Sequence, residues 1–411
     1  MNVNKKIDII NIIHYIPLYW VLSGLFLIHK GDKILVGLIL LSIILKISLH
    51  ILRIQKINVN ISKFILIILI STIYSSLSYY LNGYSSSEIR VVTSSFLYFL
   101  ISAPLYSKVN PKTILITIFI STLSILTITL NVFLIEQSGR SGLPLNAIPY
   151  ANFLSILALT SLYITALTKE IKYKILSYIN IIGLLSCVIL TDTRGTWLAI
   201  LISGIILFFM TLKYLTFKSK KSPFVSIILI FCFCGLSYEH ILERYEKTIY
   251  EIELVQENKL YTSWGIRLQL WRVGYNIIIN SPSLVGLGQT EHITIIQDKF
   301  KKDEVTKYLA QFDNKNFHNS YIDRTVKYGF IGLGIFLAFL GYPLYRGLKE
   351  KDPRLKIPLV TLPIFISVAA LTYVPLSHPG TFFLYIFIMH YYIQASDMAR
   401  EKANKNSVII D

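Results

Sequence analysis

Cysteine is scarce in this chain. The three cysteines, Cys187, Cys232 and Cys234, all fall inside apolar segments. Cys232 and Cys234 are separated by a single residue, which is the wrong spacing for a zinc-binding pair. We therefore predict that all three are small packing residues and that the chain has no disulfide framework.

The chain also lacks the motifs of several common chemistries. It has no Gly-rich phosphate-binding loop, no His-Glu-x-x-His motif and no acidic cluster spaced for a metal ion. No internal repeat is visible, which argues against the transporter folds that are built from repeated halves. We expect neither a metal ion nor another cofactor.

Charge is sparse as well. Only 15% of the 411 residues are charged, 54% are hydrophobic and the mean hydropathy is +0.57. A transmembrane helix needs about 20 largely apolar residues. The sequence therefore predicts an all-α integral membrane protein of about twelve spans, at 8–28, 34–52, 62–81, 91–107, 113–135, 147–167, 173–191, 195–214, 224–239, 322–345, 357–374 and 380–396. The first span is long enough to cross and no small-residue cleavage site follows it, so we expect no cleavable signal peptide.

The positive charges are distributed asymmetrically between the predicted connections. With the N-terminus in the cytoplasm, the inward connections carry 22 Lys and Arg residues and the short outward ones carry 5. Because cytoplasmic loops are enriched in these residues, we predict that both termini are cytoplasmic. The net charge of +17 then reflects topology rather than nucleic-acid binding.

One long polar stretch interrupts the apolar pattern. Residues 240–318 form a loop of 79 residues with 10 basic and 10 acidic side chains, and the predicted topology places it outside. The chain thus divides into nine spans over 1–239, the outer loop over 240–318, and three spans with a cytoplasmic tail over 319–411. Within the loop, 240–258 and 296–312 have the pattern of amphipathic helices.

Three arginines predicted on the outer side are candidate functional residues. Arg194 lies in a short turn with Asp192, between two spans, and Trp197 follows it. Arg194 is either a snorkelling arginine paired with Asp192 or a clamp for an anion, since its planar donors match phosphate oxygens.

The other two outward arginines lie in different loops. Arg267 opens a predicted helix over 265–279, beside Trp264, and is either a surface charge or a group near lipid headgroups. Arg140 lies in a Gly- and Pro-rich loop that is suited to fold over a ligand, although it also fits a plain surface position.

His318 comes directly before a predicted span. Asn319 or Ser320 is placed to cap that helix, which leaves exposed amide donors near His318. A lone histidine is often structural, but this one shares the outer face with the arginines, and a neutral imidazole is an effective base near pH 7. Asp323 is a candidate to orient it.

Three blocks together resemble the O-antigen ligase (WaaL) family, within the wider ligase and Wzy-type polymerase superfamily. They are Asp192-Thr-Arg194-Gly-Thr-Trp197, then Gly265-Ile-Arg267 with Asn280-Ser-Pro282, and finally His318-Asn319 followed after nine residues by Gly329 and then Gly332. The third fits the ligase pattern His-[Asn/Ser/Gln]-x9-Gly-x2-[Gly/Thr/Tyr]. The number of helices and the position of the large loop also fit this family.

The resemblance implies a GT-C-like glycosyltransferase at the periplasmic face of a bacterial inner membrane. Its donor would be a glycan on undecaprenyl diphosphate and its acceptor a sugar hydroxyl of lipid A–core. Arg194 and Arg267 would hold the diphosphate, and His318 would be the base of a metal-independent, inverting transfer. Arg140, Asn319, Trp264, Asp192 and Tyr321 are the predicted substrate-binding residues.

An O-antigen polymerase is the alternative enzyme. A flippase or transporter of lipid-linked sugars fits less well, because the mid-span regions hold almost no charge.

Overall fold

The computed structural model describes residues 14–28, 30–54, 57, 59, 61–101, 109–168, 170–214, 238–312 and 316–408. Within these ranges the chain forms helices and connecting segments and no β-strand. The protein is therefore an all-α integral membrane protein, as the sequence predicts.

In the described residues, eight α-helices precede the long outer loop. The described part of α1 covers residues 14–23. The next seven are α2 (Gly31–Ile51), α3 (Lys63–Leu81), α4 (Ser86–Ile101), α5 (Pro111–Leu130), α6 (Ala147–Leu167), α7 (Ile171–Leu190) and α8 (Arg194–Tyr214). A π-helical turn, Asn131–Ile135, extends α5, and a short 3-10 turn, Gly139–Gly142, follows it.

Seven further α-helices follow. They are α9 (Tyr238–Gln256), α10 (Ser263–Asn280), α11 (Glu291–Lys301), α12 (Lys307–Gln311), α13 (Ser320–Lys349), α14 (Pro353–Ala369) and α15 (Pro379–Val408). A 3-10 turn, Pro375–Ser377, joins the last two.

Seven of the described helices are long and apolar enough to cross a membrane. They are Gly31–Ile51, Lys63–Leu81, Pro111–Ile135, Ala147–Thr165, Ile171–Leu190, Arg194–Lys213 and Ser320–Lys349. The predicted total of twelve spans stays a prediction. The predicted span 224–239 lies almost wholly outside the described residues, and the one predicted at 91–107 is helical over Ser86–Ile101, with 102–108 outside them.

The two innermost helices are α6 and α15. Nearly every residue of α6 is buried, and α15 buries an unbroken run that includes Phe383, Tyr385, Phe387 and Ile393 at 0% exposure. A helix that is apolar on all sides packs inside a bundle, and these two do. The other spans surround them and turn apolar faces such as Leu198, Leu201 and Phe209 outward.

The outer loop carries its own small core. Leu270, Val273 and Ile277 of α10 pack with Ile296, Leu309 and Phe317, and Val326 of α13 completes the cluster. The loop is therefore docked on the membrane end of α13 by buried apolar contacts. The predicted loop helix 240–258 is observed as α9, whereas the segment 296–312 contains two shorter helices, α11 and α12.

Helix α13 is broken at Gly329, where φ is 65° and ψ is −171°. The backbone groups freed by the break pair with residues 283–288, which we call the strap. Phe330 and Ile331 donate to the carbonyls of Ser283 and Leu284 at 3.1 Å, and the strap amides of Leu287 and Gly288 donate to the carbonyls of residues 326 and 327 at 2.9 and 2.8 Å. A break at membrane depth needs such partners, because lipid supplies none.

Candidate functional site

The turn between α7 and α8 presents Arg194 at the start of a span. Asp192 has a left-handed backbone, with φ of 55°, and its carboxylate pairs with Arg244 of α9. Arg194 donates to Glu251 at 2.9 Å and to Thr248 at 2.7 Å. Helix α9 thus supplies a separate partner for each of the two residues, so Arg194 does not pair with Asp192, which was one of its two alternative interpretations.

Helix α9 thus lines the site, although its residues were not among the predicted ones. Arg244, Thr248 and Glu251 recur at i, i+4 and i+7, which places them on one helix face. That spacing is the signal in the sequence that identifies them. The sequence alone does not single out this spacing, because α9 carries many other charged residues. Which face of α9 meets the bundle is decided only when the helix docks on it.

Arg267 lies in the first half of α10, close to this group. Burial lowers the pKa of Arg267, and the nearby Arg194 and Arg140 guanidinium groups lower it further, while Glu251 opposes them. Within the described part of the chain, the Arg267 guanidinium forms no hydrogen bond or salt bridge, in contrast to Arg194. It is a cation held among other cations by the fold.

Arg140 belongs to the same cluster. Partial burial and the Arg244 charge lower the pKa of Arg140, whereas Asp192 raises it. Four guanidinium groups thus share this region, those of Arg140, Arg194, Arg244 and Arg267. The carboxylates that act on them are Asp192, Glu251 and Glu243. The guanidinium groups outnumber the carboxylates, so the cluster carries excess positive charge.

His318 lies beside the cluster in a strained turn. Its φ is 50°, and the two turns that carry Asp192 and His318 are among the few places where a non-glycine residue is left-handed. Such strain persists only where the surroundings hold it. Here the Phe317 amide donates to Asp323 at 3.1 Å, and the Trp271 indole donates to the Phe317 carbonyl at 3.0 Å.

The imidazole of His318 is neutral at physiological pH. Burial lowers the pKa of His318 to about 4, with a further lowering from the nearby Arg267 guanidinium. Its Nδ1 atom is buried and makes no hydrogen bond to the described residues. The expected partner, Asp323, instead holds the Phe317 amide and a salt bridge with Lys327 at 3.0 Å, so it acts on the backbone of the turn.

One segment, residues 370–373, contacts both the turn that carries Arg194 and the turn that carries His318. The Ser320 amide donates to the Ala370 carbonyl at 2.8 Å, and the Asn319 side chain donates to the Leu371 carbonyl at 3.2 Å. On its other side, Thr372 lies so close to Gly195 that a β-carbon there would overlap it. Arg194 and His318 are therefore fixed relative to each other through this segment.

The remaining predicted residues have mostly structural contacts. Asn319 caps α13 by accepting from the amides of Tyr321 and Ile322, as expected for this position. The Tyr321 hydroxyl donates to the Ser367 carbonyl at 3.1 Å, which ties α13 to α14. Trp264 is half-buried in the first turn of α10, near Arg267.

The structure thus brings Arg140, Arg194, Arg267 and His318 to one region at the membrane end of the bundle. Within the described residues, no group of three or more His, Cys, Asp or Glu side chains is placed to hold a metal ion. The cluster can bind an anion through guanidinium groups and offers a neutral imidazole beside it.

Residues 179–337 match the family described as O-Antigen ligase. Over these residues the chain is similar to that family. The matched region contains Arg194, Arg267 and His318 together with the whole outer loop. No curated protein is significantly similar to the chain. The family domain and the membrane-spanning helices support a role in O-antigen processing for this multi-pass membrane protein.

Proposed function

We propose that the protein transfers a glycan from undecaprenyl diphosphate to a sugar hydroxyl of lipid A–core. The observation that carries this proposal is the excess of guanidinium groups over carboxylates beside a neutral histidine. A lipid diphosphate diester is an anion, which suits this positively charged cluster. We place the reaction at the periplasmic face of a bacterial inner membrane.

The proposed transfer requires two kinds of protein group, one that stabilises the leaving diphosphate and one that accepts a proton. The leaving group is a diphosphate, which is already a stable anion and needs charge stabilisation more than protonation. Arg194 and Arg267 supply that charge, with Arg140 beside them, and Arg267 is available because it forms no salt bridge with any described residue. The attacking hydroxyl needs a proton acceptor, and the neutral His318 is the candidate.

The transfer is a direct displacement in this proposal. The acceptor oxygen attacks the anomeric carbon, its proton passes to His318, and the bond from that carbon to the diphosphate breaks. The configuration at the anomeric carbon inverts. The new glycosidic bond links the glycan to the acceptor, and the lipid diphosphate leaves with the electron pair.

The first experiment compares lipopolysaccharide from a deletion strain complemented with the wild-type protein and with His318→Ala. The proposal predicts core without O-antigen, and accumulated lipid-linked polymer, in the deletion and the variant. Core with a single repeat unit would identify a polymerase instead. A normal ladder in the deletion strain would exclude both enzymes.

A purified assay tests the residue roles. His318→Ala should lower turnover by at least ~10²-fold if the imidazole is the base. His378→Ala is the matched control. His378 lies in a turn other than that of His318, where it stacks on Phe26, so its variant should retain turnover. Arg267→Ala should lose activity while Arg272→Ala, on the exposed side of the same helix, keeps it. If each variant is as active as its matched control, the roles given to His318 and Arg267 are contradicted.

A further inference from the structure

Two exposed tyrosines of the outer loop stand side by side. Tyr261 and Tyr308 are 44% and 58% exposed, and their ring centroids are 5.6 Å apart. They come from different elements, the segment before α10 and helix α12. We call them the outer tyrosine pair. The pair presents an aromatic surface with hydroxyl groups at its edge.

The pair is held by a buried polar side chain. Gln269 donates to the Leu260 carbonyl at 3.1 Å and accepts from the Thr306 amide at 3.0 Å. Gln269 therefore ties together the two backbone segments that precede the tyrosines. Since Gln269 and Arg267 belong to the same helix, the pair is built on the element that carries the candidate diphosphate ligand.

The pair lies at the outer end of α10. Helix α10 runs antiparallel to α13, because Ser283 after its end pairs with Phe330 within the span, whereas Trp271 reaches Phe317 before the span begins. The backbone of Leu260 packs against Gly265, so Tyr261 lies beside the first turns of α10. At 1.5 Å per helical residue, Gly265 is roughly 9 Å along the helix beyond Trp271, on the side away from the span.

A further aromatic residue near the pair contacts the candidate base. Phe312 follows Tyr308 by four residues, and its ring centroid is 5.9 Å from that of His318. The Tyr373 ring lies 5.7 Å from His318. The imidazole is therefore flanked by aromatic rings, one of them in the segment that carries Tyr308.

Sugar rings suit such a surface. One face of a pyranose presents C–H groups that stack on an aromatic ring, and its hydroxyl groups bond to polar edges. A glycan attached to a membrane-anchored diphosphate, or to a membrane-anchored acceptor, must extend away from the bilayer, since it is hydrophilic. An aromatic belt at the lipid headgroups would instead lie at the level of the span ends.

We propose that Tyr261 and Tyr308 form a saccharide-binding subsite, outward of the bond that is made, with Phe312 between them and His318. The subsite holds sugar units of the lipid-linked donor or of the core acceptor. This inference rests on the proposed function, because it places a glycan substrate at this face. The subsite acts in binding and the tyrosines take no part in proton transfer.

The test uses the full-length protein in vesicles, with lipid-linked glycan from the source strain as donor and lipid A–core as acceptor. The variants are Tyr261→Ala, Tyr308→Ala and both together. Tyr275→Ala is the control, because Tyr275 is 63% exposed on the part of α10 nearer the membrane. Tyr261→Phe keeps the ring and should restore most of the binding.

We expect the KM for one substrate to rise roughly threefold to tenfold in the double variant, with kcat nearly unchanged, as stacking energies of this class imply. A rise in the donor KM at saturating acceptor assigns the subsite to the donor glycan. A rise in the acceptor KM assigns it to core. Transferred NMR signals of the free oligosaccharide should weaken in the same variants and remain in Tyr275→Ala.

Unchanged KM values for both substrates, with unchanged oligosaccharide signals, overturn the subsite. A defect limited to insertion of the double variant into vesicles overturns it as well, in favour of a role at the lipid surface. A different result contradicts the proposed function itself. If His318→Ala and Arg267→Ala keep full turnover, the proposed function is wrong whatever the tyrosine variants do. Inactive His318 and Arg267 variants beside a fully active tyrosine variant reject only the subsite.

Discussion

At the scale of the residue, His318 combines a strained backbone with an uncharged side chain. A left-handed conformation costs a non-glycine residue of order 1 kcal/mol or more, and the hydrogen bonds of Phe317 on both sides hold it. The strain fixes where the imidazole points. Its neutrality has a separate cause, since burial and Arg267 both disfavour the protonated form.

The low pKa of His318 predicts an unusual pH profile. In the free enzyme the imidazole accepts a proton at any pH above about 4, so kcat/KM should fall only as the pH drops through about 4, well below the ordinary histidine value of 6.5. We expect a bound diphosphate to offset the Arg267 charge and so to raise the pKa of His318 in the complex. The acid limb of kcat should therefore lie at higher pH than that of kcat/KM.

The measurement is a pair of pH–rate profiles in vesicles, with Arg272→Ala as the control that should leave both limbs in place. Arg267→Lys keeps a charge but loses the planar fork, so it should raise the donor KM while the acid limb stays low. Acid limbs that coincide near 6.5 in both profiles would contradict the role given to burial and Arg267.

The residues of the site were predictable to different degrees. Arg194, Arg267 and His318 followed from their motifs, and the structure places them in one region. Arg244 and Glu251 did not, because which face of a charged helix meets the bundle is decided by docking. The sequence alone also could not identify the partner of Arg194, since the nearest carboxylate in the sequence belongs to a different ion pair.

At the scale of the element, the break in α13 is the feature with the clearest cause. Gly329 has a positive φ, and a β-carbon there would overlap the backbone of Leu284 in the strap. Gly286 of the strap lies against the backbone of α13 at the same contact, and it also has a positive φ. The sequence predicts an unbroken span over 322–345, because isolated glycines are tolerated in helices and the strap is more than 40 residues away in the chain.

We expect Gly329→Ala to destabilise the protein by about 1–3 kcal/mol, because the substitution combines an unfavourable φ with a collision. Gly334→Ala in the same helix is the matched control. Nothing lies within 4 Å of its β-carbon position, and alanine favours helix over glycine by about 1 kcal/mol. Thermal unfolding in detergent should show a lower midpoint for the first variant and an equal or higher one for the second. Equal midpoints for both would refute the strap as a stabilising contact.

At the scale of the whole molecule, the helical membrane architecture followed from composition and apolar periodicity. Helices such as α6 and α8 were predicted to within a residue of their observed ends. The central position of α15 was not predictable, since its apolar run has the same composition as a lipid-facing span. Charge asymmetry predicts the orientation.

Orientation can be tested by labelling. In a variant without Cys187, Cys232 and Cys234, a cysteine at the exposed Lys302 should react with a membrane-impermeant maleimide in intact spheroplasts. A cysteine at the exposed Glu401 should react only after lysis, because the positive-inside rule places the C-terminus in the cytoplasm. The opposite pattern would reverse the predicted topology and move the site to the other face.

The break at Gly329 also affects how the protein meets bilayers of different thickness. A membrane helix adapts to hydrophobic mismatch by tilting, and a continuous α13 would carry that tilt directly into the turn at His318. Here the first piece of the helix is bonded to the strap and to residues 370–373, while the longer piece beyond Gly329 exposes apolar side chains such as Phe330, Ile331 and Leu337. We expect tilting of the longer piece to be absorbed at the break, so that the histidine keeps its register with the arginines in thin and thick membranes alike.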